Sequence, residues 1–513
     1  MDMNNKINGT RTKKSASNVV FGFGNRIILM VFPFVIKTIT IYTLGAEYLG
    51  LNSLFSSILQ VLSLSELGVG TAMVYNMYRP LAEGDKKTVN ALLLLYKRVY
   101  RYIGLFILVV GVCLCPFLDK LIASSYPQDI NIYVLYLIFL LNTVLTYWIF
   151  SYKKSLLEAN QVNSIESKLN TIINIVLYTG QIVVLLIFRN YYLYIILMPI
   201  CTIALNIIRN IVVSRLFPDA VAEGKLDETI INDIKKKVFA LFGHKIGTTI
   251  ITSADSIVIS AILGLVVLAR YSNYYYIINS LIGFVTIFYS AITASVGNSI
   301  VQDTIEKNYH DFKILVFINA WIVGWCSICL YCLYQPFMKI WMGEQMLFGK
   351  GTIILFVVYF YAWLIRRIGL TYKDAAGMWN EDFWKPYVGA VINLVTNIIL
   401  VKYIGVDGAL LSTIIIMVFI YAPWETFVLF KHLFNKSAFE YIIRTIIYTI
   451  VTTITAVCTN WVCGLVGLEG IWGLVIRMII CILVPNALYI ALYSRTEEFK
   501  EAKNKMTGLI KRN

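Results

Sequence analysis

The sequence predicts an all-α polytopic membrane protein with about 14 transmembrane helices, arranged as two six-helix lobes related by a parallel repeat plus two extra C-terminal helices. Its 513 residues are 58% apolar and 14% charged, with a mean hydropathy of +0.73, whereas soluble domains have about 25% charged residues. The apolar residues form runs of roughly 20, each long enough to cross about 30 Å of hydrocarbon as a helix. The beginnings of the two halves also resemble each other.

Apolar runs separated by glycine, proline and charged residues define the spans. In chain order they are 17–41, 49–78, 98–118, 131–152, 169–188, 191–214, 238–263, 271–298, 314–337, 351–372, 386–401, 405–430, 445–463 and 471–493. The first of these runs is too long for a signal-peptide core and has no A-x-A cleavage site after it, so we expect it to stay attached.

Lys and Arg concentrate on one side of these spans, which predicts that both termini are cytoplasmic. The resulting segments are a cytoplasmic tail, the N-lobe with six spans, a cytoplasmic linker, the C-lobe with six spans, two further spans and a cytoplasmic C-terminal tail. They cover residues 1–16, 17–214, 215–237, 238–430, 445–493 and 494–513, respectively. The C-terminal tail alternates in charge, which predicts a solvated or interfacial helix without a catalytic role.

Neither the net charge nor the cysteines indicate another class of protein. The charge of +15 does not predict nucleic-acid binding, because no basic patch on a soluble domain accompanies it. All nine cysteines lie inside apolar runs. Cys326, Cys329 and Cys332 are spaced by three residues, which fans their thiols around a helix, so we interpret them as packing residues and expect no metal. No cofactor is expected.

The first predicted helix is repeated in the seventh. Both helices end in Leu-Gly, at Gly45 and Gly264. Arg26 precedes Gly45 by the same number of residues as Lys245 precedes Gly264. Arg26 and Lys37 share a helix face about three turns apart, as do His244 and Asp255. Because the second copy begins six spans after the first, an even offset, the halves should have the same orientation in the membrane.

Cations inside the spans predict an anion-binding surface that faces a cavity. A Lys or Arg at the bilayer centre costs about 2.5–3.5 kcal/mol on insertion scales, which favours such a role for Arg26, Lys37 and Lys245. Alternatives are an ion pair of Lys37 with Glu66 and snorkelling of Lys245 to the headgroups. Arg270 lies beside Tyr271, Tyr274, Tyr275 and Tyr276. An aromatic belt at the membrane interface explains these tyrosines as well as contact with a ligand does.

Other polar groups at membrane depth are acids, a histidine and amides. Glu66, Asp255 and Glu425 would be structural if paired with cations, but would couple transport to H⁺ or Na⁺ if unpaired and facing a cavity. His244 is either a proton relay or a packing residue. Four asparagines either bind substrate or form hydrogen bonds between helices. They are Asn142, Asn298, Asn393 and Asn397.

Several short segments resemble the Wzx-type oligosaccharide flippases, which belong to the superfamily of multidrug exporters and the lipid II flippase. They are Leu44–Gly50 (LGAEYLG), Leu62–Gly68 (LSLSELG), Tyr78–Ala82 (YRPLA), His244–Gly247 (HKIG), Asp255–Ser260 (DSIVIS), Tyr271–Tyr274 (YSNY) and Ser295–Asn298 (SVGN). The resemblance is dense from about residue 10 to 310 and mainly one of hydropathy beyond.

The resemblance implies two bundles around a cavity and translocation of undecaprenyl-diphosphate-linked oligosaccharides across the bacterial cytoplasmic membrane. Arg26 matches the cation that such flippases use near the diphosphate. The lipid II flippase also has an arginine on the second helix, where this chain has only Glu66; Lys37, Lys245 and Arg270 are the residues that can take its place. Glycosyltransferases and a polysaccharide polymerase are the implied partners. A membrane polymerase or glycosyltransferase and a drug or cation exporter are the alternative functions.

Overall fold

The computed structural model describes residues 28–66, 68–123 and 126–510. These residues form helices and short connections and contain no strand. The helices are α1 (Ile28–Thr43), α2 (Ala46–Leu62), α3 (Val69–Glu83), α4 (Lys86–Leu114), α5 (Ile132–Trp148), α6 (Lys154–Ala159), α7 (Asn163–Val183), α8 (Tyr191–Leu216), α9 (Glu228–Leu263), α10 (Leu265–Gln302), α11 (Ile305–Met342), α12 (Lys350–Ile365), α13 (Arg367–Ala375), α14 (Lys385–Ile404), α15 (Val406–Ile415), α16 (Ala422–Leu429), α17 (Phe439–Gly464), α18 (Gly470–Tyr493) and α19 (Glu497–Ile510).

The protein is an all-helical, multi-pass membrane protein, as the sequence predicts. In the described ranges, 10 helices are long and apolar enough to cross a membrane, or 11 if Ile132–Trp148 and Ser151–Ala159, bent by 49°, form one broken span. Every predicted span overlaps a helix. The sequence analysis predicts about 14 spans because it also counts α1, the apolar end of α9, and α2 with α3 as one span. A tight turn at Ser63–Glu66 and Gly68 separates α2 from α3.

Contacts divide the chain into two compact units, Met1–Ala269 and Arg270–Asn513. The boundary falls within α10, so that the whole of α9 belongs to the first unit. There α9 packs against α2 and α3. Gly50 marks how closely α2 approaches the first residue of α10, because a Cβ on Gly50 would lie 2.3 Å from the carbonyl oxygen of Leu265. A larger residue at position 50 would therefore push these helices apart.

The two glycines of the predicted repeat have the same backbone conformation. Gly45 follows α1 with φ +122° and ψ 172°, and Gly264 follows α9 with φ +87° and ψ 177°. Both positive φ values are disfavoured for residues with a Cβ, so glycine is required at each turn. In both cases the next helix begins one residue later.

The second unit is organised around α11, which packs against α12, α17, α18 and α19. The C-terminal helix α19 does not stand apart from the spans. Phe499 stacks on Trp321 of α11 with ring centroids 5.9 Å apart. Glu498 forms an ion pair with Arg444 of α17, and Glu501 lies 2.6 Å from Nε2 of His310. The predicted solvated or interfacial helix is therefore packed along one face against the second unit.

Candidate functional site

The cations predicted in the first unit are only partly described by the structure. Lys37 lies on α1 and is half-buried. Arg26 lies outside the described residues, and the side chains of His244 and Lys245 do as well, although α9 itself is described through both positions. The predicted common face of Arg26 and Lys37 therefore remains a sequence expectation, with Lys37 placed inside an apolar helix.

Glu66 is held by a pair of tyrosines in the first unit. Tyr96 donates a hydrogen bond to the Tyr100 hydroxyl (2.5 Å), which donates to Oε1 of Glu66 (2.9 Å). Gly70 leaves room for this arrangement, since a Cβ there would lie 3.0 Å from the Tyr96 hydroxyl. The half-buried carboxylate is thus positioned by α4 beside the turn between α2 and α3.

Asp255 is buried on α9, with 3% of its surface exposed. Ser253 and Ser260 on the same helix are also buried, and neither hydroxyl has a hydrogen-bond partner. Buried hydroxyls are normally hydrogen-bonded, and oxygen atoms are the ligands that hard cations such as Na⁺ prefer. With about 3.6 residues per turn, Ser253 and Ser260 share one face of α9 and Asp255 lies on roughly the opposite face, so the three side chains do not form one cation site.

A buried ion pair that the sequence analysis did not single out joins α7 and α8 in the first unit. Nε and Nη2 of Arg209 donate to the two oxygens of Glu166, at 2.9 and 2.6 Å. Arg209 also donates to Asn206, whose Nδ2 donates to the carbonyl of Leu145 at 3.1 Å. With its guanidinium committed to protein groups, Arg209 is a structural cation.

Arg270 lies on a rigid aromatic platform in the second unit. Its guanidinium carbon is 5.5 Å from the centre of the Phe348 ring, and its Nε is buried without a hydrogen-bond partner. Tyr274 fixes the platform by donating to Gln335 (2.6 Å) and accepting from the Phe348 amide (3.3 Å). Tyr271 and Tyr274 are 2% and 0% exposed. They pack inside the unit, so the belt interpretation does not apply to them.

Five buried charges form a network in the second unit. Arg366 donates to both oxygens of Glu425 (2.6 and 2.7 Å), and Lys385 bridges Glu425 (2.8 Å) and Asp382 (2.6 Å). Lys373 also donates to Asp382, at 2.7 Å. All five side chains are at most 10% exposed. Glu425 is therefore paired with two cations, which corresponds to the structural alternative for this acid.

The network is packed against an aromatic ring. The Tyr421 ring centre lies 5.4 Å from the Arg366 guanidinium and 5.4 Å from the Lys385 ammonium. Gly389 allows Tyr421 to approach α14, since a Cβ at that position would lie 2.3 Å from the ring. The ring adds cation–π attraction to the ion pairs.

The four predicted asparagines differ in their surroundings. Asn142 accepts a hydrogen bond from Thr202 (2.8 Å), which joins α5 to α8, and Asn393 donates to Thr413 (3.1 Å), which joins α14 to α15. Asn397 is fully buried on α14, one turn after Asn393, whereas Asn298 is exposed on α10. Asn142 and Asn393 thus form the interhelical bonds that were the alternative to substrate binding.

Sequence reasoning missed Arg209, Arg366, Lys373 and Lys385 because it counted all four among the cytoplasmic positive charges, although Arg209 and Arg366 lie within the predicted spans 191–214 and 351–372. The available signal was the pair Arg366-Arg367 in the middle of the apolar segment Lys350–Ala375. The charged residues predicted to form the site are divided between the two units. Lys37, Glu66 and Asp255 lie in the first unit, and Arg270 and Glu425 lie in the second.

No family model and no curated protein matches the sequence. Solved structures do match. An inward closed conformation of the lipid II flippase MurJ has a TM-score of 0.65 and 16% identity, covering 93% of this chain and 98% of that one. An inward-facing MATE-family multidrug resistance transporter of the MOP superfamily has a TM-score of 0.59 and 14% identity, covering 80% and 99%. A MATE transporter of Vibrio cholerae, VcmN, gives 0.55 and 14%, covering 83% and 99%. The chain therefore has the fold of these transporters.

Proposed function

We propose that the protein is a flippase that moves undecaprenyl-diphosphate-linked oligosaccharide repeat units from the inner to the outer leaflet of the bacterial cytoplasmic membrane. The units would serve the assembly of capsule, exopolysaccharide or O-antigen. Glycosyltransferases would build each unit before this step, and a polymerase would join the units after it.

Arg270 is the observation that carries the proposal. A guanidinium binds phosphate through paired N–H groups, and such charge-assisted hydrogen bonds are strongest where water is partly excluded. Arg270 is half-buried on the Phe348 ring, and its Nε–H has no acceptor in the protein. The ring holds the guanidinium in place, and the part of this half-buried side chain that is exposed is available to an anion. Lys37 on α1, together with Arg26 and Lys245 from the sequence, would supply further positive charge along the route.

A cavity in the second unit supports a lipid-linked substrate. It has a volume of about 320 Å³, lies between α11, α12 and α17, and is lined mainly by apolar side chains with a few threonine hydroxyls. Val358 and Val457 line it and are 39% and 61% exposed, so the cavity is open to the surroundings of the unit. An isoprenoid chain suits such a cavity, since its apolar surface is not brought into contact with charged groups.

The charges of the second unit argue against the alternative function, export of a drug or cation. A cation would need an available carboxylate, but Glu425 is already paired with Arg366 and Lys385. A membrane polymerase or glycosyltransferase would need a sizeable catalytic segment at the membrane surface. In the described residues, the connections between helices are too short to form one.

The proposed cycle is alternating access without covalent chemistry. For a diphosphate that carries about two negative charges, an inside-negative potential favours outward movement by about 2.3 kcal/mol per charge per 100 mV. Cations that move with the substrate would reduce this contribution. Return of H⁺ or Na⁺ through Glu66 or Asp255 is the proposed alternative source of energy.

Deleting the gene tests the proposed function in cells. We expect lipid-linked repeat units to accumulate in the inner leaflet, surface polysaccharide to be lost, and both effects to be reversed by the gene on a plasmid. The glycan that accumulates would identify the sugar substrate. Accumulation of single units in the outer leaflet would indicate a polymerase instead, and a deletion strain with normal surface polysaccharide would contradict both functions.

A further inference from the structure

Three buried cysteines from three helices meet in the second unit. They are Cys332 on α11, Cys463 on α17 and Cys481 on α18, and their Sγ atoms all lie within 4.8 Å of one another. The residues are 5%, 3% and 0% exposed. Cys463 and Cys481 have their sulfur atoms 4.0 Å apart. All three are free thiols.

The position of Cys481 is set by a proline one turn further along α18. Pro485 has no N–H, so the carbonyl of Cys481 lacks its usual partner within the helix. Nε1 of Trp325 on α11 donates to this carbonyl instead, at 2.9 Å. The missing helical bond is therefore replaced by a bond between helices, which ties the backbone of Cys481 to α11.

Close approach of the three helices depends on Gly324. A Cβ at Gly324 would lie 2.4 Å from the hydroxyl of Tyr489 on α18 and 2.7 Å from Oγ1 of Thr452 on α17. The side chains of both neighbouring helices thus reach the backbone of α11 about two turns before Cys332. This contact brings the thiol of Cys332 within reach of the other two.

The arrangement has the dimensions of a trigonal metal–thiolate site. A metal ion with metal–sulfur distances of about 2.3 Å at the centre of three thiolates separates the sulfurs by about 4.0 Å, which is the distance between Cys463 and Cys481. In the part of the chain that the structure describes, no histidine or carboxylate joins the group. Structural zinc almost always has four ligands, so a three-thiol site fits zinc poorly, whereas soft thiolates suit Cu(I).

We propose that Cys332, Cys463 and Cys481 form a binding site for Cu(I) that fastens the hairpin of α17 and α18 to α11. Arg477 lies on α18 one turn before Cys481, and its guanidinium donates to the carbonyls of Cys463 (3.4 Å) and Val466 (3.2 Å). Cu(I) bound by the three thiolates has a net charge of −2, of which the guanidinium offsets one. Binding would then release three protons from the three thiols to water.

Copper binding by the full-length protein in detergent tests the proposal. The probe is Cu(I) itself, supplied anaerobically in competition with a bathocuproine chelator. We expect one Cu(I) per chain to be retained and X-ray absorption to give sulfur neighbours at about 2.3 Å. Both measurements use the unmodified protein, so they do not depend on how well any variant folds.

Serine variants then assign the ligands. Cys332→Ser, Cys463→Ser and Cys481→Ser should each lower the affinity for Cu(I) by about 100-fold or more, since loss of even a supporting group costs a metal site 10- to 100-fold. Cys326→Ser on α11 and Cys458→Ser on α17 are matched controls outside the cluster, and should bind as the wild type does. The proposal is overturned if the wild type loses Cu(I) to the chelator as readily as the triple variant does. A Cys463–Cys481 disulfide in the freshly isolated protein would overturn it as well.

Discussion

Replacing Arg270 with Ala should abolish export of the lipid-linked oligosaccharide while leaving the amount of folded protein in the membrane unchanged. The guanidinium contacts the face of Phe348, and its Nε has no hydrogen-bond partner, so its removal leaves no buried acid unpaired. A hydrogen bond to a charged group contributes about 1.5–3 kcal/mol, which corresponds to roughly a 10- to 150-fold loss of binding for one such bond. Surface polysaccharide and protein level in the complemented deletion strain measure the two effects.

Two further variants distinguish charge from geometry. Arg270→Lys should retain part of the activity, because it keeps the charge but not the paired N–H donors. Lys350→Ala removes a nearby exposed cation at the start of α12 and should export normally. An Arg270→Ala protein with full activity would remove this residue from the substrate site, and the same assay on Arg26→Ala would test the contribution of the first unit.

Replacing Glu425 with Gln should strongly destabilise the second unit. The carboxylate accepts hydrogen bonds from both Arg366 and Lys385 and is 4% exposed, so the variant leaves two buried cations beside a neutral amide. Removing one partner of a buried ion pair typically costs about 3–5 kcal/mol. The free energy of unfolding in detergent, or the midpoint of loss of the monodisperse peak on heating, measures this change.

The matched control is a surface pair in the same unit. Glu344 lies 2.9 Å from Lys339, but its side chain is 73% exposed, and exposed pairs contribute about 0–1 kcal/mol. Glu344→Gln should therefore change the stability little. If Glu425→Gln were as stable as the control but had lost its dependence on an ion gradient, Glu425 would be a coupling residue and not a structural one.

Hydropathy was sufficient to predict the class of fold, because every membrane-spanning helix must satisfy its backbone hydrogen bonds internally and present apolar side chains to lipid. Breaks within spans were harder to see. The turn at Ser63–Glu66 and Gly68 divides one long apolar run into α2 and α3, and the bend between α5 and α6 lies in another. Such breaks depend on packing between helices, which periodicity does not encode.

The candidate sites show the same limit more clearly. Glu425 could be identified as an intramembrane acid, but Arg366 and Lys385, which pair with it, lie 59 and 40 residues away in sequence. The spacing of Cys326, Cys329 and Cys332 on one helix predicts that those thiols diverge, and of the three only Cys332 belongs to the cluster that the structure describes. The spacing gives no information on Cys463 and Cys481, which reach Cys332 from two other helices.

Reconstitution into lipid vesicles addresses the proposed flippase activity itself. Purified protein would be reconstituted with a labelled undecaprenyl-diphosphate-linked oligosaccharide, and the fraction of sugar accessible to an external lectin would be followed before and after a potassium-diffusion potential is imposed. We expect accessibility to rise only with active protein, to rise faster when the compartment that the substrate leaves is negative, and to stay at the protein-free level with Arg270→Ala. Equal transfer in vesicles with and without the protein, at every potential and with every ion gradient, would contradict the proposal.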